Sequence, residues 1–203
     1  MADNRDPILA PVPIDTLRPT QITVGFREVE EKRADWRRMG KKRGRFLGSH
    51  MVPVVIGPKG RPYVTDHHHL ARALHAEGQR DVLIQPLMNL EELSEEYFWR
   101  FLDRQGLVHP FDENGERRGY DAIPRKISKL KDDPFRSLAG AVRRAGGYAK
   151  NVKPFVEFVW ADYFRLKFSE RDVRRRWDKT LQAALARAHD RDARFLPGWC
   201  GRD

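Results

Sequence analysis

The chain has 203 residues, 40% hydrophobic and 33% charged, with a net charge of +10. That composition supports one moderate core or two small ones and contains no apolar run near the roughly 18 residues of a membrane span. Cys200 is the only cysteine, which excludes an internal disulfide and any Cys-cluster metal site. The first 15 residues lack the basic and continuous apolar stretches of a signal peptide, so a soluble, cytoplasmic chain in a reducing compartment is expected. Residues 1–110 carry 17 Lys/Arg against 15 Asp/Glu, and 111–203 carry 22 against 14. The second half is therefore the basic one, suited to nucleic acid or nucleotides, or equally to a well-solvated arginine-rich surface.

In chain order, residues 11–25 mix β-branched residues with prolines and predict one or two short edge strands. A charged helix follows from Glu28 to Met39, with Val29, Trp36 and Met39 as its apolar members, and Lys41 to Arg45 extend the basic run into a loop. Residues 48–51, Gly-Ser-His-Met, look like a tag remnant but lie inside coherent sequence and read as native. Residues 52–65 predict strand, Pro-Lys-Gly turn, strand. Asp66 is the expected N-cap of a helix carrying Leu70, Ala73 and Leu74 and closed by Gly78. Residues 81–87 predict another strand.

Beyond that the pattern turns helical. Ser94 caps a helix with Phe98, Phe101 and Leu102, and 109–121 form a polar loop with an Asn-Gly turn. Asp133-Pro134 opens a helix bearing Phe135, Leu138, Ala139 and Val142, stopped by Gly146-Gly147. Pro154 opens an aromatic helix whose Phe155, Val156, Phe158 and Val159 are expected to bury against the sheet. Ser169 and Asp172 begin a final helix through Ala188 in capping-box fashion. The expected organisation is an α/β (α+β) core over 8–90, a small mixed sheet, and a mainly helical extension over 91–203.

Three of the seven histidines, His67, His68 and His69, fall at the strand-to-helix junction. The first turn of a helix leaves N–H groups unpaired, a ready site for phosphate. At about 100° per residue, His68, Arg72 and His75 share a face turned away from Leu70, Ala73 and Leu74. That face would place a guanidinium and two imidazoles above free donors, with His68 or His69 able to move a proton. A single histidine there would be a surface hydrogen-bonder; three at such a junction point to a site. Three adjacent imidazoles diverge too far to share one ion, so no dedicated zinc site is expected.

These residues carry a resemblance. Residues 17–32, LRPTQITVGFREVEEK, followed by strand, turn, strand and VTDHHHLARAL at 64–74, resemble the ParB/sulfiredoxin superfamily, in particular its ParB-like nuclease branch, over roughly residues 8 to 165. The resemblance implies a ParB/sulfiredoxin-like sheet whose second box, Asp-Gly-x-His-Arg-like, holds nucleotide phosphates. Asp66 matches its aspartate, His67 its glycine, His68 its variable position and His69 its histidine. Leu70 stands where the arginine is usual, and the sulfiredoxin cysteine is missing, which excludes sulfinic acid repair. No helix-turn-helix or parS-binding arrangement follows in the tail.

The implied function is binding of nucleotide or nucleic-acid phosphate at 66–69 with phosphoester hydrolysis, as nuclease or NTPase. Two alternatives stand beside it, a non-catalytic DNA-binding adaptor and a small-molecule kinase. Candidate catalytic residues are His69, His68 and Glu28; Asp66, His67, Arg72, Gln21 and Lys32 would hold phosphate or nucleotide. Glu28 and Lys32, four apart, also read as a plain surface pair. Arg143, Arg144 and Lys150, around a Gly-Gly turn with Tyr148, and Arg174, Arg175 and Arg176 are candidate nucleic-acid contacts, with helix C-terminal stabilisation and solvation as their bland readings. Mg²⁺ is the one cofactor expected, arriving with bound nucleotide; oligomeric state is open.

Overall fold

The computed structural model describes residues 11–201. Its main sheet is built from β1 (Pro11–Pro13), β2 (Arg18–Pro19), β4 (Val52–Gly57), β5 (Arg61–Val64) and β6 (Asp81–Asn89), in the order β1-β6-β4-β5-β2. A separate pair joins β3 (Thr23–Val24) in parallel to β7 (Lys131–Asp132). The mixed α/β architecture is as expected. Within the main sheet β1-β6 and β4-β5 are antiparallel, while β4-β6 and β5-β2 are parallel. The β4-β6 register slips between Val54 and Val55, opposite Pro86 and Met88. Pro86 has no N–H to give the ladder, so a bulge costs least there.

One face of the sheet is covered by α1 (Phe26–Met39) and α3 (His68–Ala76), where Leu17, Val29, Trp36, Val52, Val54 and Leu74 are buried together. The other face carries α4 (Glu95–Arg104), whose Phe98 and Leu102 pack with Val55 and Tyr63. A helical group, α5 (Pro134–Arg144), α6 (Val156–Arg165), α7 (Glu170–Arg175) and α8 (Trp177–Ala188), has its own core of Leu138, Val142, Trp160, Phe164 and Ala184. It meets the sheet side through the β3-β7 pair and the α1-α5 contact.

Several expectations change. The 41–45 loop is instead a turn leading into α2 (Arg43–Ser49). Asp66 is not the N-cap of α3: the helix starts at His68, and His67 precedes it with φ 65°. The aromatic helix begins at Val156 rather than Pro154, and it packs mainly on α5 rather than on the sheet, leaving Val159 43% exposed. Its buried members Val156, Trp160 and Phe164 follow a spacing of four, which aligns them on one face. The final helix breaks at Arg176, where φ is −130° and ψ 42°. The expected caps do form: Ser94 accepts from Tyr97 N–H, Asp133 from Phe135 and Arg136, and Ser169 from Asp172. Among the described residues no helix is long and apolar enough to cross a membrane.

Gly25 sets how closely α1 approaches α5. A Cβ there would lie 2.6 Å from Ser137 Oγ, 2.8 Å from its N and 2.9 Å from its Cα. Two of these are backbone atoms and cannot swing aside. Gly25→Ala is expected to cost about 1–3 kcal/mol, seen in a thermal melt as a Tm lower by roughly 2–10 °C.

Candidate functional site

The parallel pairing of β2 with β5, Arg18 opposite Tyr63 and Pro19 opposite Val64, lays residues 17–25 alongside 63–69. Thr20 Oγ donates to the Val64 carbonyl at 2.7 Å. Thr20 N–H donates to His68 Nε2 at 3.1 Å, and Gly25 N–H to His69 Nε2 at 3.0 Å. Both imidazoles thus accept from backbone amides across the seam, which fixes Nε2 as the unprotonated nitrogen. Both are buried, at 4% and 8% exposure. Burial pushes each down to about 3, with Arg136 adding to the effect at His69. At neutral pH the two rings are uncharged and their Nε2 atoms hold the two segments together.

His67 differs. Its backbone is left-handed, it borders the cleft, and its Nδ1 is buried without a partner among the described residues. This is the position matched to the glycine of the resembled box, and the positive φ explains why glycine suits it. Asp66 Oδ1 accepts from His67 N–H at 2.6 Å. The N–H groups of His68, His69 and Leu70, in the first turn of α3, have no acceptor among the described residues. All three residues line a cleft of about 1070 Å³.

The same cleft is bordered by Glu28 and Lys32 from α1, Arg136 and Arg143 from α5, Lys150 and Lys153 from the loop before α6, and Phe155, Phe158 and Glu157. Glu28 Oε2 lies 3.1 Å from Arg136 Nη1, 3.7 Å from His69 Nε2 and 4.0 Å from Arg144 Nη1. Burial alone would raise this carboxyl, but nearby positive charge outweighs it and holds it down to about 2. His69 can take part only where it is protonated, so at neutral pH Arg136 is the main cause, followed by Lys32 and Arg144. The close partner of Glu28 is therefore Arg136, not the expected Lys32. Gln21 also borders the cleft, its amide nitrogen donating to Thr23 O at 2.6 Å.

Arg136 was invisible in the sequence, one turn into a helix recognised for its apolar face. It is 8% exposed, lies over the Phe158 ring at 5.3 Å, and its Nε has no partner among the described residues. Beside it His109 stacks with Phe111 and Phe155 and meets Phe158 in a tilted contact. Burial, then Arg136 and Arg165, push His109 down to about 3.

Other expected residues lie elsewhere. Arg72 turns toward α1, over the Phe26 ring at 5.7 Å, and is not part of the cleft wall; His75 faces Asp15 at 3.0 Å. His68, Arg72 and His75 do lie on one side of α3, but not as the open face expected, because His68 is buried and accepts from Thr20 N–H. Arg143 lies 3.0 Å from Glu157 and Arg144 2.9 Å from Glu31, while Tyr148 is buried against Trp160. Arg174 pairs with Asp132 and Glu170, and Arg176 with Asp172 at 3.5 Å; Arg175 is exposed. The basic second half thus presents a mixed-charge surface. Among the described residues no three His, Asp, Glu or Cys side chains are gathered to hold a metal ion.

A family profile described as "Putative ParB-like nuclease" matches residues 10–166. Among solved structures, the crystal structure of protein Atu1540 from Agrobacterium tumefaciens is similar over 98% of this chain and 100% of its own, with a TM-score of 0.91 and 50% sequence identity. No curated protein matches.

Proposed function

We propose, from the premise that this chain belongs to the ParB-like nuclease family, that its cleft binds a nucleotide or nucleic-acid phosphate at the start of α3 and hydrolyses a phosphoester. The observation that carries this reading is the set of N–H groups of His68, His69 and Leu70 without an acceptor among the described residues, on residues that border a cleft together with Lys32, Arg136, Arg143 and Lys150. Oriented amides at a helix start and converging cations are what a phosphate needs. The carboxylates of the cleft are dispersed, so a Mg²⁺ ion fits here as a companion of the bound polyphosphate, not as a resident of a protein-built cage.

In this reading His68 and His69 are positioning residues, since each ring's acceptor nitrogen already serves the backbone. The proton carrier is His67, whose Nδ1 at the cleft has no partner among the described residues. A non-glycine residue in the left-handed region costs about 1–2 kcal/mol, and such strain is commonly kept at functional sites. His67→Gly should therefore raise Tm by roughly 2–6 °C while abolishing release of phosphate from nucleoside triphosphates or nicking of supercoiled plasmid. Turnover at the wild-type rate in this variant would sink the role of His67. Binding without turnover by the wild type would favour the adaptor reading, which the engaged lone pairs of His68 and His69 support. Turnover only with an added acceptor would indicate a kinase.

A further inference from the structure

The cleft changes chemistry along its length. Glu28, Lys32, Asp35, Trp36 and Met39 all border it, and their spacing of four, three, one and three makes them one stripe of α1, the floor of the cleft. At the Glu28 end stand Arg136 and the first turn of α3. Trp36 lies eight residues on, about 12 Å further along the helix axis. There the walls are rings and apolar side chains. Phe46 meets Trp36 edge-on with centroids 6.0 Å apart, and His50 stacks on Phe46 at 4.0 Å and 18°. Leu87, 48% exposed, flanks them, and Asp35 and Gln85 supply polar edges.

His50 is exposed, yet its plane is fixed, because Nδ1 lies 3.0 Å from both the Phe46 carbonyl and Ser49 Oγ. Among the described residues no other ring covers it. An exposed, oriented, flat surface with hydrogen-bonding groups beside it suits the face of a nucleobase. Resting on the phosphate reading of the opposite end, we infer that the Phe46–His50 pair is a base-stacking subsite and that the ligand is a nucleoside polyphosphate, lying along α1 with its phosphates at α3. Inorganic polyphosphate fills only one end of such a cleft.

Titration calorimetry with tripolyphosphate and with each of ATP, CTP, GTP and UTP tests this on the wild type, His50→Ala and Phe46→Leu. At least one nucleoside triphosphate should bind the wild type roughly 5- to 100-fold more tightly than tripolyphosphate. Both variants should bring that ratio close to one with tripolyphosphate affinity unchanged, which also shows that they fold. Equal affinity of the wild type for nucleotide and tripolyphosphate, or a ratio untouched by His50→Ala, overturns the subsite and leaves the phosphate end standing. Nucleotide binding that needs His50, with no tripolyphosphate binding, keeps the subsite and removes the phosphate end. Binding of neither ligand removes both.

Discussion

Acidification should begin to destabilise this protein well above the range where ordinary carboxylates titrate. His68, His69 and His109 are each held down to about 3, burial being the largest cause. In the unfolded chain a histidine titrates near 6.5. The folded value is the depressed one, so the unfolded state takes up protons first. The stability associated with the neutral rings is complete above about pH 6.5 and is lost as pH falls toward 3. Each ring contributes about 1.4 kcal/mol per pH unit over that window, so three together remove about 4 kcal/mol per unit. Against a typical total of about 5–15 kcal/mol, a fall of roughly one and a quarter to three and three-quarter units below pH 6.5 is enough. Glu28, held down to about 2, acts in the same direction only below its ordinary value. Urea titrations from pH 7.5 to 5 should show this slope. His69→Gln keeps an acceptor for Gly25 N–H without a titrating ring and should flatten it by about 1.4 kcal/mol per unit. A stability profile already flat between pH 7 and 5 in the wild type would contradict the buried, neutral state of these rings.

Elements with strong local chemistry were legible in the sequence. The strand-turn-strand at 52–65, the Ser94, Asp133 and Ser169 caps and the Asn-Gly turn closed by Gly115 at φ 79° all rest on short-range rules. The misreadings share one cause, which is tertiary partnership. Asp66 looked like an N-cap because a carboxylate before a helix usually is one, but its side chain is taken by the amide of His67. His68 was placed on an open face by helical geometry, and it turns inward because Thr20, 48 residues earlier, supplies the amide it accepts from. β7 is two residues long and exists only through pairing with β3; no period can appear in two residues. Arg136 could not be found at all, because its meaning comes from Glu28 on another helix. The left-handed His67 had a readable signal through the glycine it replaces in the resembled box, and Gln21, Glu28, Lys32, Arg143 and Lys150, candidates from the sequence, do border the cleft.

The Glu28–Arg136 pair gives the other large effect, and it separates stability from binding. The two side chains are 17% and 10% exposed and lie 3.1 Å apart. Removing one partner of such a pair strands the other charge, at a cost of roughly 3–5 kcal/mol, while replacing both by neutral groups is often nearly neutral. Arg136→Met and Glu28→Gln should each lower the urea midpoint strongly, with Arg144 at 4.0 Å softening only the first. The double variant should recover most of the loss, giving a coupling of about 2–4 kcal/mol in a double-mutant cycle. A purely structural pair would stop there. In a phosphate cleft the two substitutions must act on binding with opposite sign, because Glu28 competes with the ligand for the same guanidinium. Glu28→Gln should tighten tripolyphosphate binding roughly 5- to 10-fold and Arg136→Met weaken it by at least as much, the range expected for one charged hydrogen bond. Binding that moves in the same direction in both variants would mean that Arg136 braces α5 against α1 and does not meet the ligand.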